Sequence, residues 1–318
     1  MLQILPMKYE NMNEAIDLWR ALFNQYCYCR SFPNYAIGGK ATIERYLKEQ
    51  IDQDHAIVVI DKNVLVGYMA WEYFDFHSEK TAFLPIVGHA ALLDDEYNIY
   101  EKMYCEASER WVADNRLNHL WMTYFDDDIL KNNLYNLGFG SYVIDACQST
   151  DGIRRQVKSE YRIAYASPND IDALLLFANE TKKYYAGTPI FLKRSNFARE
   201  EIVELIDKDY ALLAWDQGKL IGVMSFTTNQ DFDFEHLTTP DSAYIGSIGA
   251  FIHPDYRGKG LGKVLLENVF ECCNKNGKPY LHVCFESANS SAMRFWPKHF
   301  KPSIRSLRRT VNKDANTI

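Results

Sequence analysis

The run Arg257-Gly258-Lys259-Gly260-Leu261-Gly262 places three glycines among cations, and Lys263 follows it. Glycine has no Cβ, so successive backbone N–H groups can turn into one concavity. Leu261, Leu265, Val269 and Cys272 then recur at spacings of four and three, the apolar stripe of a helix that the run opens. A helix N-terminus adds unpaired N–H groups and a partial positive charge. Together these features make a site for a diphosphate. The macrodipole alone is worth about 0.3–1 kcal/mol, so affinity requires many convergent donors. The same run also fits a plain strand-to-helix turn. It lacks the spacing of a P-loop, and its glycines do not follow the G-x-G-x-x-G order of a dinucleotide fingerprint.

The elements around the run must position it. Tyr244 to His253 is apolar with Gly246 and Gly249 inside, which predicts a buried strand carrying a bulge. Pro254-Asp255-Tyr256 reads as a turn, and Asn276-Gly277 as the helix stop. Tyr280 to Glu286 reads as the next strand. Period-two alternation puts His282, Cys284 and Glu286 on one face, with Leu281, Val283 and Phe285 on the other.

This order of elements resembles motif A of the GCN5-related N-acetyltransferases, whose signature Q/R-x-x-G-x-G/A is met by Arg257-x-x-Gly260-x-Gly262. The resemblance implies that Arg257, Gly258, Lys259, Gly260, Leu261, Gly262 and Lys263 hold the pyrophosphate of coenzyme A. Phe251, Ile252 and His253 would bond the pantetheine arm, and the strand from Tyr280 would splay away to admit the thioester. Asn289 and Ala292 fit the family's N-x-x-A pattern. The implied reaction is N-acetyl transfer from acetyl-CoA, as donor substrate and with no metal, to a primary amine by direct attack. In the family a tyrosine often protonates the departing thiolate, but that position falls on Trp296 here. Either the thiolate takes its proton from solvent or another group serves, with His299 and Tyr280 as candidates, and Glu286 is the candidate base or amine ligand. Cys284 is considered as an acyl carrier and set behind direct transfer. Family acceptor contacts fall on Lys182 to Pro189, where Tyr184 and Tyr185 could cup a cation, and the acidic run Asp231 to Glu235 could attract an amine.

The chain also repeats itself. Asp54 to Met69 aligns with Asp209 to Met224 at an offset of 209 − 54 = 155, each reading as a β-hairpin turned at Asp61-Lys62-Asn63 or Asp216-Gln217-Gly218. Leu120 to Phe139 aligns with Leu281 to Phe300 at 281 − 120 = 161, and Ile4 to Leu18 with Ile163 to Phe177 at 163 − 4 = 159. The fold expected is therefore α/β with a mixed, mostly antiparallel sheet flanked by helices, twice in tandem. Domains are expected at 1–155 and 156–318, with Arg154 to Lys158 in the connector. At offset 161 the run at 257–262 maps onto Glu96-Tyr97-Asn98-Ile99-Tyr100-Glu101, where every glycine is gone. Ile99, Met103, Ala107 and Trp111 keep the helical face, so the first copy is expected to keep the fold and lose the cofactor loop.

Composition sets outer bounds. The chain has 318 residues, 47% hydrophobic and 24% charged, with a formal net charge of −7. That balance argues against a nucleic-acid surface, and no apolar run reaches the ~20 residues of a membrane span. The seven cysteines show no paired C-x-x-C clusters and read as reduced, buried thiols of a cytoplasmic protein. A small-molecule or peptide amine is the expected partner, with the chain as monomer or homodimer. A non-catalytic acyl-CoA sensor and a transferase of a larger acyl group are the competing functions.

Overall fold

A computed structural model describes residues 2–27, 40–92, 96–151, 158–229 and 241–315. The Asp231 to Glu235 run and most of the expected connector lie outside these residues. Two compact units are present. One holds Met1–Asp145 together with Pro302–Ile318, and the other holds Ala146–Asp231 and Thr238–Lys301. The division between these units falls after Asp145, and Pro302–Ile318 groups with the first of them.

The first unit runs β1 (Gln3–Pro6), α1 (Met12–Tyr26), α2 (Lys40–Asp52), β2 (Ala56–Asp61), β3 (Val64–Ala70), β4 (Glu72–Phe76) and β5 (Glu79–Leu84). It continues through β6 (His89–Ala91), α3 (Glu96–Ala113), β7 (Asn118–Tyr124), α4 (Asp128–Asn136) and the start of β8 (Gly140–Ser149). The second unit holds β9 (Arg162–Tyr165), α5 (Ile171–Ala186), α6 (Arg199–Lys208), β10 (Tyr210–Asp216), β11 (Lys219–Phe226) and β12 (Ser242–Ile245). Then come β13 (Ala250–Ile252), α7 (Leu261–Lys275), β14 (Tyr280–Glu286) and α8 (Ser290–Phe295), while nearly all of β15 (Lys301–Thr310) lies in the first unit.

The repeat is in register. Both hairpins turn on two residues with positive φ, Lys62 at 48° and Asn63 at 66° in one, Gln217 at 46° and Gly218 at 85° in the other. These are the signs of a type I′ turn, whose twist matches the strands it joins. Each hairpin bulges at the same place, after Val59 and after Ala214, 155 positions apart. Gly67 faces Ala91 in the β3–β6 pair, as Gly222 faces Ile252 in the β11–β13 pair. Both glycines are required by close approach: a Cβ would lie 2.6 Å from Ile99 at Gly67 and 2.8 Å from Ile252 at Gly222.

In the first unit β1, β2, β3 and β6 form one antiparallel sheet, while β5 runs parallel to β7 and β15 antiparallel to it, Ile304 opposite Tyr124. Its core is aromatic, with Trp71, Trp111, Trp121 and Tyr100 all buried. The α3 face of Ile99, Met103, Ala107 and Trp111 packs into it. In the second unit β13-β11-β10-β9 form one antiparallel sheet, and β12 runs parallel to β14. Leu261, Leu265, Val269 and Cys272 of α7 are buried, each large aliphatic side chain contributing about 1.5–3 kcal/mol.

Candidate functional site

The expected single strand from Tyr244 to His253 is broken in two, and the break makes the site. β12 follows β14 in parallel up to Ile245, opposite Val283. The chain then turns through Gly246 to Gly249, with Ser247 at φ 61° and Gly249 at φ 74°. It resumes as β13 against β11, with Phe251 opposite Val223. Ser225 fastens this turn: its hydroxyl donates to the Gly246 carbonyl at 2.6 Å and accepts from the Gly249 N–H at 2.9 Å. So, among the described residues, β13 ends its sheet with one unpaired edge, and β14 runs on through Cys284, Phe285 and Glu286 without it.

A cavity of about 600 Å³ occupies this opening. Ala250, Phe251 and Ile252 line one side and Val283, Cys284 and Phe285 the other. Gly258, Gly260, Leu261, Gly262 and Lys263 line its end, where α7 begins. Gly260 caps the helix at φ 81° and Gly258 sits at φ 76°. A Cβ at either would meet nothing within 4 Å, so glycine is needed there for backbone conformation and not for space. Gly262 is different, because a Cβ there would lie 3.3 Å from the Phe295 ring.

The cations are partly held by the protein. Arg257 donates from Nε to the Ile252 carbonyl at 2.9 Å and lies 4.7 Å from the Tyr184 ring centre. Lys259 lies 5.0 Å over Tyr256, whose hydroxyl donates to Asp216 at 2.9 Å. Lys259 does not line the cavity, nor does His253, whose N–H bonds the Ile221 carbonyl at 2.9 Å. Arg294 and Lys298 do line it, two cations that sequence reasoning missed. Their spacing of four on the segment after Asn289 was the available signal.

The tyrosines expected in a loop sit in the last turn of α5. Both do meet a cation, but one of the chain's own: Arg257 for Tyr184, and Arg194 at 4.1 Å for Tyr185. The Tyr184 hydroxyl also donates to Asn289 Oδ1 at 3.2 Å, and Asn289 Oδ1 accepts the Ala292 N–H that caps α8. Glu286, with its side chain 9% exposed, is ion-paired to Arg194. Burial, with the nearby Glu286 charge, pushes the Tyr185 hydroxyl well above its ordinary range. Tyr185, Arg194 and Glu286 thus form one cluster at the C-terminal end of β14.

Tyr280 and His299 are not brought there. Tyr280 begins β14, six residues from Glu286 and so about 20 Å along the strand. His299 packs against Phe295 with ring centres 4.9 Å apart, and neither lines the cavity. Trp296 does line it, buried against Phe295 and Phe300.

In the first unit a histidine spans the corresponding strands. His89, at the position of Ala250, donates from Nε2 to the Met122 carbonyl at 2.7 Å and accepts the Tyr100 hydroxyl at Nδ1 at 2.9 Å. Burial lowers the His89 pKa to about 4. Side chain and ring thus bridge β6 and β7 where β13 and β14 leave a gap.

Residues 177–300 match the acetyltransferase (GNAT) family. The chain is similar in fold to a GCN5-related N-acetyltransferase from Sphaerobacter thermophilus, at 12% identity and a TM-score of 0.62 over 97% of this chain and 95% of that one. It is also similar in fold to the GCN5-related glucosamine N-acetyltransferase region of a fungal multi-domain β-N-acetylglucosaminidase, at 10% identity and a TM-score of 0.51, covering 97% of this chain and 38% of that one. An L-methionine sulfoximine/L-methionine sulfone acetyltransferase of Salmonella typhimurium is 30% identical over 83 residues, 26% of this chain. That match spans 44% of the relative's length. The family match thus covers residues 177–300, and the likeness in fold extends over nearly the whole chain.

Proposed function

We propose that the second unit transfers an acetyl group from acetyl-CoA to the primary amine of a small acceptor. The observation that carries this is the split between β13 and β14, opening onto a helix N-terminus with left-handed glycines. An extended arm fits the split, and a diphosphate fits the N–H groups at its end. Arg257, Lys263, Arg294 and Lys298 supply the countercharge. The unpaired edge of β13 offers N–H groups to the thioester carbonyl, where negative charge develops during attack. The amine nitrogen forms the new bond to carbon as the carbon–sulfur bond breaks.

The lining also bears on the acceptor. Among the described residues, none of those lining the cavity is Asp or Glu. The nearby Glu286 is already paired with Arg194. Such a site has little to offer a polycation. It suits an acceptor with a single amine, with Glu286 orienting that amine beside Tyr185. The relative's printed substrates, amino-acid derivatives, agree with this charge balance.

Titration of acetyl-CoA, followed by thiol release over a panel of amino acids, L-methionine sulfone, polyamines and aminoglycosides, tests the proposal. Micromolar binding and turnover fastest on an amino acid support it. Binding without turnover on any amine supports a non-catalytic acyl-CoA sensor instead, the reading that Trp296 in the usual tyrosine position favours.

A further inference from the structure

The transferase reading leaves the proton for the departing thiolate unassigned, since Trp296 has no acidic proton to give and neither His299 nor Tyr280 lines the cavity. Cys284 does line it. It is the first residue of β14 beyond the last β12 pair, Ile245 with Val283, and so stands at the fork itself. Its face of β14 is the one that Glu286 shares, toward Tyr185 and Arg194. The Tyr244 hydroxyl donates to Cys284 Sγ at 2.8 Å. Tyr244 is carried by β12, beside the turn that Ser225 fastens, so a rigid element sets this contact.

We propose that Cys284, held by Tyr244, is the general acid that protonates the leaving thiolate. The inference rests on the transferase reading and adds the residue it lacks. The amine lone pair forms the nitrogen–carbon bond. The carbon–sulfur bond breaks, and its electron pair stays on the coenzyme sulfur. The Cys284 proton passes to that sulfur, and the acceptor nitrogen loses its proton to water. The remaining Cys284 thiolate accepts the Tyr244 hydrogen bond until water returns a proton. A free cysteine thiol has a pKa of about 8.5, within reach of proton exchange with another thiolate. A hydrogen bond to the thiolate favours the charged form, so Tyr244 makes Cys284 the better acid. The other titratable groups of this region are Tyr185 and Arg194 on one side and His282 and Glu286 along β14. His282 shares the face of Cys284 two residues back along β14, where Ser242, at 3.1 Å, and Cys147, at 3.6 Å, hold its ring.

The test is a pH profile of kcat with acetyl-CoA and the amine of the panel that turns over fastest. In the wild-type chain kcat falls on the alkaline side as Cys284 loses its proton. Cys284→Ala lowers kcat about 100-fold, removes that limb, and leaves the acetyl-CoA Kd within about threefold, in line with the usual worth of a positioned acid. Imidazole added to C284A restores part of the rate, which a merely structural loss would not allow. Tyr244→Phe moves the alkaline limb to higher pH. Turnover in C284A within threefold of wild type at every pH overturns the assignment alone. So does an acetyl group found on Cys284 by mass spectrometry after exposure to acetyl-CoA, since the thiol would then be a carrier. Absence of turnover in the wild-type chain overturns the transferase reading and this assignment with it.

Discussion

Gly260 and Glu286 show how differently single residues bear on the site. At Gly260 the backbone is left-handed with open space around the missing Cβ. Gly260→Ala therefore brings about 1–2 kcal/mol of backbone strain and no collision. Calorimetric titration is expected to show acetyl-CoA binding about tenfold weaker, with melting temperature little changed. Glu286 stands in a cluster whose charge is already balanced by Arg194. Glu286→Gln is expected to lower kcat less than tenfold, as for a residue that orients the amine without taking its proton. Arg194→Ala leaves that carboxylate unpaired, and with Arg194 itself one-third exposed the cost is about 1–2 kcal/mol, readable in a denaturant midpoint. The sequence made the loop glycines and Glu286 legible because a signature and an alternation act over a few residues. It did not show Arg194, eight residues after Ala186, because nothing in the spacing says which side chain returns over Tyr185. It proposed Tyr280 and His299 for their chemistry alone; Tyr280 starts β14, and neither residue lines the cavity.

At the scale of elements, the hairpins, the α7 face and the alternation in β14 were all legible, since each is a local period. The break between β12 and β13 was legible only as a bulge. Its size depends on Ser225, which lies on β11 and bonds both ends of the turn. Ser225→Ala is expected to cost about 1–2 kcal/mol and to raise the KM for acetyl-CoA, because the turn loses two hydrogen bonds. The bridge across β6 and β7 gives a pH dependence. His89 has a folded pKa of about 4 against an ordinary 6.5, so below about 6.5 the unfolded chain binds a proton that the folded chain refuses. His119, buried and accepting the Tyr104 hydroxyl at Nδ1, is lowered to about 4 in the same way. Stability of the first unit is thus complete above pH 6.5 and falls as the pH drops toward 4. The loss reaches roughly 3 kcal/mol for each histidine. Urea melts monitored by tryptophan fluorescence at pH 7 and pH 5 would show it, and His89→Gln would flatten part of the slope.

For the molecule as a whole, repetition in the sequence located two related units, and the near-constant offset is now visible as matched turns, bulges and glycines. Composition does not show which sheet a strand joins, and so gave no sign that β15 pairs with β7. A fragment of residues 1–155 lacks β15, which pairs with β7 from Asn118 to Tyr124. That fragment is expected to lack a cooperative melt by circular dichroism. Joining residues 301–315 to it by a flexible linker is expected to restore one.

The pairing of β7 with β15 also has a meaning in time. Between Tyr124 and Lys301 the ribosome must add 301 − 124 = 177 residues. At about 5–20 residues per second this takes roughly 10–35 s. Throughout that interval the nascent chain carries β7 with one edge open, a strand whose seven side chains are all buried in the finished protein. An unpaired apolar edge is a template for other chains. Biogenesis of this protein is therefore expected to depend on a chaperone that covers β7 until β15 emerges, more than its final stability would suggest.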